Sequence, residues 1–100
     1  MKEVKFNFEE LHVYQKALDY IDSIYETTNH FPKDERFRLT SQYIRAAISI
    51  GLNIAEGVGD TDAQFNRYIQ IAQDSIKECV VCSTISRRQN FITTQQDNQA

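Results

Sequence analysis

An all-α fold of long helices packed antiparallel in chain order is what this 100-residue sequence predicts, and three observations predict it. Glycine and proline are scarce, at three and one, and no strongly alternating apolar stretch or hairpin dipeptide appears, which argues against a β-rich chain with many tight turns. Apolar residues recur at three- and four-residue spacing through three long stretches. Short junctions carrying proline, glycine or capping residues separate these stretches, and short junctions make neighbouring helices antiparallel. With 41% hydrophobic and 25% charged residues, residues 1–100 form one domain, too short for a second core.

The first helix is expected over about residues 8–28. Asn7-x-x-Glu10 has the form of a capping box, and Phe6 before the cap pairs with Leu11 as a hydrophobic staple. Leu11, Tyr14, Leu18, Ile21, Tyr25 and Thr28 make an apolar stripe that Ala17 and Ile24 widen, while His12, Lys16, Asp19 and Asp22 lie off it. Asn29-His30-Phe31-Pro32 stops the helix, because the residue before proline is pushed out of the helical region and Asn tolerates a left-handed cap.

A second helix follows over about 34–56, with Asp34 as its N-cap and Gly57 as the positive-φ residue that ends it. Its polar residues share one narrow arc: Glu35, Arg38, Gln42, Arg45, Ser49, Asn53 and Glu56 fall within roughly 80° at helical spacing. Phe37, Leu39, Tyr43, Ile44, Ile48, Ile50, Leu52 and Ile54, with Ala46, Ala47 and Ala55, cover the rest of the circumference. That is more apolar surface than a surface helix of a small monomer hides, so further copies of the chain are its simplest cover. Gly51 inside this helix costs about 1 kcal/mol relative to Ala and marks a close approach by another backbone.

Val58-Gly59-Asp60 makes the next turn, and Thr61-x-x-Gln64 is a capping box opening a third helix over about 62–88. Phe65, Tyr68, Ile69, Ala72, Ile76, Cys79, Val80 and Ser83 carry its apolar stripe, and Asn90 terminates it. Thr93 or Thr94 offers a cap for a fourth helix, but the tail over 93–100 is short and polar and is expected to fray. Cys79 and Cys82 lie three apart inside the helical pattern, where no unstrained disulfide forms, and are read as buried free thiols.

Composition narrows function more than it assigns it. A net charge of −3 gives no overall attraction to phosphate backbones, so nucleic-acid binding needs a local basic patch. Arg87 and Arg88 beside Phe91 form the best small cluster, and Arg67 is a further candidate contact, although two arginines near a helix C-terminus also complement its dipole. Arg38, Gln42, Arg45, Ser49, Asn53 and Glu56 form a candidate polar interaction stripe, in which Arg45, Asn53 and Glu56 together could hold an anion; pairing within the helix or with a neighbouring copy is the better reading. No nucleophile with its base, unequal carboxylate pair, metal-ligand cluster or phosphate loop stands at diagnostic spacing, so neither an enzyme nor a bound metal or cofactor is expected. The N-terminal stretch lacks the apolar run of a secretory signal and no later run has the length of a membrane span, so a cytoplasmic protein without a membrane partner is expected.

Gln42-x-x-Arg45-Ala46-x-x-Ser49-Ile50-x-x-Asn53-Ile54-Ala55-Glu56-Gly57 resembles the signature of the 23S rRNA intervening-sequence protein family. The likeness extends to Phe8-Glu9-Glu10-Leu11-x-Val13-Tyr14-x-Lys16-Ala17, to Phe31-Pro32-Lys33-x-Glu35-x-Phe37-x-Leu39 and to Phe65-x-Arg67-Tyr68-x-x-Ile71-Ala72-x-x-Ser75-x-x-Glu78, about eighty residues in all. Tyr14 stands where the family usually has Trp and Asp74 where a small residue is usual, and the fourth helix is almost absent. The resemblance implies an up-and-down antiparallel bundle of the four-helix type, here with three long helices and a truncated fourth. It also implies assembly as a homopentamer, with no catalytic residues or cofactors. The leading expectation is a self-assembling, non-enzymatic interaction module; the alternative is an RNA-binding or reverse-transcriptase accessory protein, which the resemblance alone suggests.

Overall fold

A computed structural model of the chain describes residues 7–92. The expectations placed on Phe6, on the Asn7 side chain and on the tail from Thr93 to Ala100 lie outside the described residues. Those described are all-helical: α1 spans His12–Thr28, α2 Leu39–Gly57 and α3 Asp62–Arg88, with short 3-10 turns at Asn7–Glu10 and Lys33–Glu35. The second helix is the centre of the arrangement. It packs along both α1 and α3, whereas α1 and α3 hardly meet.

Three predicted boundaries shift, each for a local reason. α1 begins at His12 rather than near residue 8, because Leu11 is extended (φ −69°, ψ 132°) and the backbone of 7–10 closes its own 3-10 turn through Leu11 N–H donating to Phe8 O at 3.1 Å. Gln15 then ties that turn to the helix, its Nε2 donating to Glu9 O at 2.7 Å. α2 begins at Leu39 rather than 34, because Arg38 (φ −119°, ψ −107°) breaks the helical path; Asp34 falls within a 3-10 turn whose N-cap is Pro32, with no side-chain cap bond. Gly57 is the last helical residue and is not the positive-φ position; that role belongs to Gly59 (φ 85°) two residues on. Asn29 likewise stays right-handed (φ −61°), so α1 is stopped by Pro32 rather than by a left-handed cap.

α3 spans the residues its sequence specifies, with half of the expected capping box, since Thr61 N–H donates to Asp60 Oδ1 at 2.8 Å rather than to the Gln64 side chain. Thr61 Oγ1 accepts from Gln64 N–H at 3.2 Å at the N-cap. At the other end Asn90 takes φ 63°, Phe91 N–H donates to Ser86 O at 2.8 Å and Asn90 N–H to Arg87 O at 3.0 Å, the paired bonds of a Schellman ending. Phe91 is thereby turned onto Phe31, with ring centroids 5.5 Å apart, and Phe31 meets Tyr43 at 6.4 Å. These rings close one end of the bundle.

The core runs along α2 through Leu39, Tyr43, Ala46, Ala47, Ile50 and Ile54, with Ala17 and Ile24 from α1 and Ala72, Cys79 and Cys82 from α3. Gly51 does mark a close approach, but the neighbour is the Cδ1 methyl of Ile21, 3.3 Å from where a Cβ would sit, rather than a backbone. The buried edges of α1 and α3 differ from the predicted stripes. Leu11 and Tyr25 are exposed, while Tyr20 packs on the core. On α3 the buried line is Ala72, Ser75, Cys79, Cys82 and Ser86, leaving Phe65, Ile76 and Val80 outside it.

Candidate functional site

The predicted polar stripe of the second helix does not form one site. Arg38 lies before α2 and sits 3.7 Å from Glu35, an i,i+3 pair at the junction. Gln42 borders a shallow recess with Lys77, Glu78, Val81 and Ile85 of α3. Arg45 and Glu56 are exposed and three turns apart. Ser49 and Asn53 instead join the contact with α3: Ser75 Oγ donates to Ser49 Oγ at 2.9 Å, and Asn53 Nδ2 donates to Ser49 O at 2.8 Å and Ser49 Oγ at 3.0 Å. This small polar cluster satisfies its own groups and fixes the register of α2 against α3. Ser75 enters the sequence argument only through the family likeness, with no contact assigned to it, although it stands on the same helical line as Ala72 and Cys79, the signal that marks it.

The candidate basic contacts are also separated. Arg67 stands on the second turn of α3 and Arg87 and Arg88 on its last, about 30 Å apart along the axis. Arg87 and Arg88 are joined at their end of the bundle by Lys33, Arg36 and Arg38, because Phe31 and Phe91 meet there at a tilt of 47° and because Leu39 and Ile85 line the same recess. A second recess of about 250 Å³ at this end is bordered by Tyr25, Asn29, Lys33, Arg36 and Thr40.

Beneath the surface, Tyr20, Tyr43, Cys79, Cys82 and Ser83 face one another. Cys79 and Cys82 are buried free thiols. Burial pushes both thiols up, Cys82 to about 11, with the neighbouring Cys79 and Glu78 charges adding to the shift. Thiols held protonated in this way are poor nucleophiles and poor metal ligands. Tyr20 and Tyr43 are raised as well, mainly by burial. The Tyr43 hydroxyl lies beside Tyr20 and Ser83, yet neither it nor Ser83 Oγ completes a hydrogen bond of good geometry. Among the described residues no three His, Cys, Asp or Glu side chains converge as a metal site, and no helix is long and apolar enough to cross a membrane.

An apolar concave feature lies where α1 and α3 diverge across α2. It is a groove of about 450 Å³ floored by Ala17, Ile50, Ile54 and Ala72 and walled by Val13 and Tyr20 on one side and Ile69 and Ile76 on the other. Lys16 and Gln73 are its polar edge. It runs the length of about two helical turns, with no polar group converging on its floor, so its chemistry is that of a seat for another apolar element rather than of a reaction centre.

A family model described as 23S rRNA-intervening sequence protein matches the chain over residues 9–100. No curated protein matches it.

Proposed function

Since the chain belongs to the 23S rRNA-intervening sequence protein family over residues 9–100, we propose that it is a non-enzymatic helical bundle module that acts by assembling with further copies of itself, a homopentamer being the form expected. The observation that carries this reading is the open apolar groove between α1 and α3. An up-and-down bundle of four helices has each diagonal pair held apart by the other pair, and α1 and α3 stand apart in that way with α2 on one side only. Among the described residues no helix occupies the groove, and in the proposed assembly a helix supplied by another copy covers it as the fourth member of the bundle. Val13 is 54% and Ile76 47% exposed, so covering each contributes about half of the ~1.5–3 kcal/mol of a full burial, roughly 2 kcal/mol for the two together. Leu52 on the outer side of α2, 61% exposed, adds apolar surface away from the groove.

Light scattering across a wide concentration range tests the reading. An oligomer that persists on dilution and that Ile76→Glu, with its wall position in the groove, breaks into monomers is the expected result. A wild-type chain that stays monomeric and folded at every concentration rules self-assembly out.

A further inference from the structure

The junction between α1 and α2 builds a recess whose two cations have no carboxylate set against them. Lys33 and Arg36 stand three residues apart across the 3-10 turn at Lys33–Glu35, and in that geometry side chains three apart lie one above the other, so both cations come to one side. The recess of about 250 Å³ beside the turn is lined by both and by no Asp or Glu. The acidic residues of the same turn are directed elsewhere: Glu35 faces Arg38 at 3.7 Å, and Asp34 does not line the recess. Neither Lys33 nor Arg36 takes part in an ion pair among the described residues. The Arg36 guanidinium lies 5.4 Å from the Phe37 ring centroid, a contact that steadies the side chain and leaves its N–H donors uncommitted. The remaining walls are mainly apolar. Ile44 of α2, Phe31 and Pro32 form them, and the half-exposed ring of Tyr25 completes the lining. The Thr28 hydroxyl is committed to Ile24 O at 2.8 Å, so the Asn29 amide and the Thr40 hydroxyl, which make no hydrogen bond among the described residues, are the polar groups left beside the cations.

From this arrangement we propose that the recess between Tyr25 and Arg36 binds a small carboxylate with a flat apolar body, the carboxylate held by the Arg36 fork and Lys33 and the body laid against Ile44, Pro32 and the Tyr25 ring. A carboxylate accepts two parallel bonds from a guanidinium, which matches the uncommitted donors of Arg36. A bare inorganic anion leaves the apolar walls in water, and a neutral aromatic molecule leaves the cations without a partner, so each fits less well. The volume lies below the range of drug-sized pockets, which sets the ligand at about one or two fused rings. None of these residues lines the groove between α1 and α3, so the site stands or falls apart from self-assembly.

Equilibrium dialysis with 2-naphthoate tests the proposal, with 2-naphthol as the uncharged counterpart and inorganic phosphate as a competitor. A ligand of about thirteen non-hydrogen atoms at a modest efficiency binds saturably at about 1 mM or tighter. 2-Naphthol binds at least about tenfold more weakly, the factor that a charge-assisted hydrogen bond supplies, and phosphate displaces the naphthoate no better than chloride at equal ionic strength. Arg36→Ala weakens binding at least about tenfold, and Arg36→Lys, which keeps the charge and loses the fork, falls between it and the parent. Lys16→Ala and Ile76→Glu, both in the groove, leave binding unchanged. The substituted side chains are exposed, so the variants fold, which circular dichroism checks. Absence of saturable binding up to about 10 mM, equal binding of 2-naphthol, displacement by phosphate, or unaltered binding by Arg36→Ala overturns the proposal. Loss of binding in Lys16→Ala or Ile76→Glu overturns it too, by placing the ligand in the groove.

Discussion

Two glycines of α2 give opposite outcomes on replacement by alanine. At Gly51 the added Cβ meets only Ile21 Cδ1, at 3.3 Å, the far end of a flexible side chain. Alanine gains about 1 kcal/mol of helix propensity at this interior position and buries one methyl, while Ile21 turns by a fraction of a rotamer at a cost of about 0.5–1.5 kcal/mol. Gly51→Ala is therefore neutral to stabilising, by up to about 1 kcal/mol. At Gly57 the added Cβ meets Tyr68 Cβ at 3.2 Å and Phe65 Cδ1 at 3.3 Å. A Cβ cannot move without its backbone, so relief requires α3 to retreat from α2, an overpacking cost of about 1–3 kcal/mol against a propensity gain reduced at the last helical residue. Gly57→Ala lowers stability by about 1–2 kcal/mol. Urea unfolding at one fixed protein concentration measures both, the concentration being held because association shifts apparent stability. In thermal unfolding each kcal/mol moves the midpoint by about 4–8 °C for a domain of this size. If Gly51→Ala destabilises as much as Gly57→Ala, the spacing of α1 and α2 is set by backbone contact and the reasoning fails.

Further expectations follow from the buried polar groups and the caps. Because the Cys82 thiol is raised from 9.0 to about 11 in the folded chain, the unfolded chain loses that proton first; the stability linked to it is complete below pH 9 and falls by roughly 1.4 kcal/mol per unit up to about pH 11. Urea midpoints taken between pH 7.5 and 10.5 check this, and a slope as steep in Cys82→Ala as in the parent contradicts it. Tyr43→Phe removes a buried hydroxyl that lacks a hydrogen bond, so it is neutral or stabilising by up to about 1 kcal/mol in the same assay, and a loss above that refutes the assignment. Thr61→Ala takes away the acceptor of Gln64 N–H and costs about 1 kcal/mol, read as a lower midpoint with unchanged denaturant dependence.

What could be read from the chain was local, and what could not was relational. The cap at Thr61, the stop at Asn90 and the extent of α3 rest on neighbours within a few residues, and all three stand where the sequence puts them, although the left-handed residue is Asn90 and not the expected Asn29. The breaks at Leu11 and Arg38 escaped because the apolar spacing continues through them; periodicity registers which residues are apolar and not whether the backbone turns aside between them. The same limit applies to the basic residues. Arg87 and Arg88 are visible as a pair, but Lys33 and Arg36 reach the same end through the contact of Phe31 with Phe91, sixty residues apart in the chain. Arg67, grouped with them by type, is placed far away by the length of one helix.

The wide apolar circumference of the second helix directs attention to α2 as the surface in need of cover, yet the helix with the most apolar side chains outside the core is α3. The reason lies in the residues α3 turns inward. Ala72, Ser75, Cys79, Cys82 and Ser86 are all small, so α2 and α3 approach closely and α2 satisfies one flank of its circumference in that seam. A close seam buries little of the partner's width. Ile69 and Ile76 are consequently left on the groove side of α3, and Val81 and Ile85 beside the recess that Leu39 and Gln42 border. With one apolar edge on each side of the seam, α3 presents two separate apolar surfaces, and the ring assembly proposed above would use both at once, one toward each neighbouring copy. A chain built this way closes into a ring when the rotation between neighbours divides a full turn, and Val81→Glu on one edge and Ile76→Glu on the other should each break the same assembly when introduced singly.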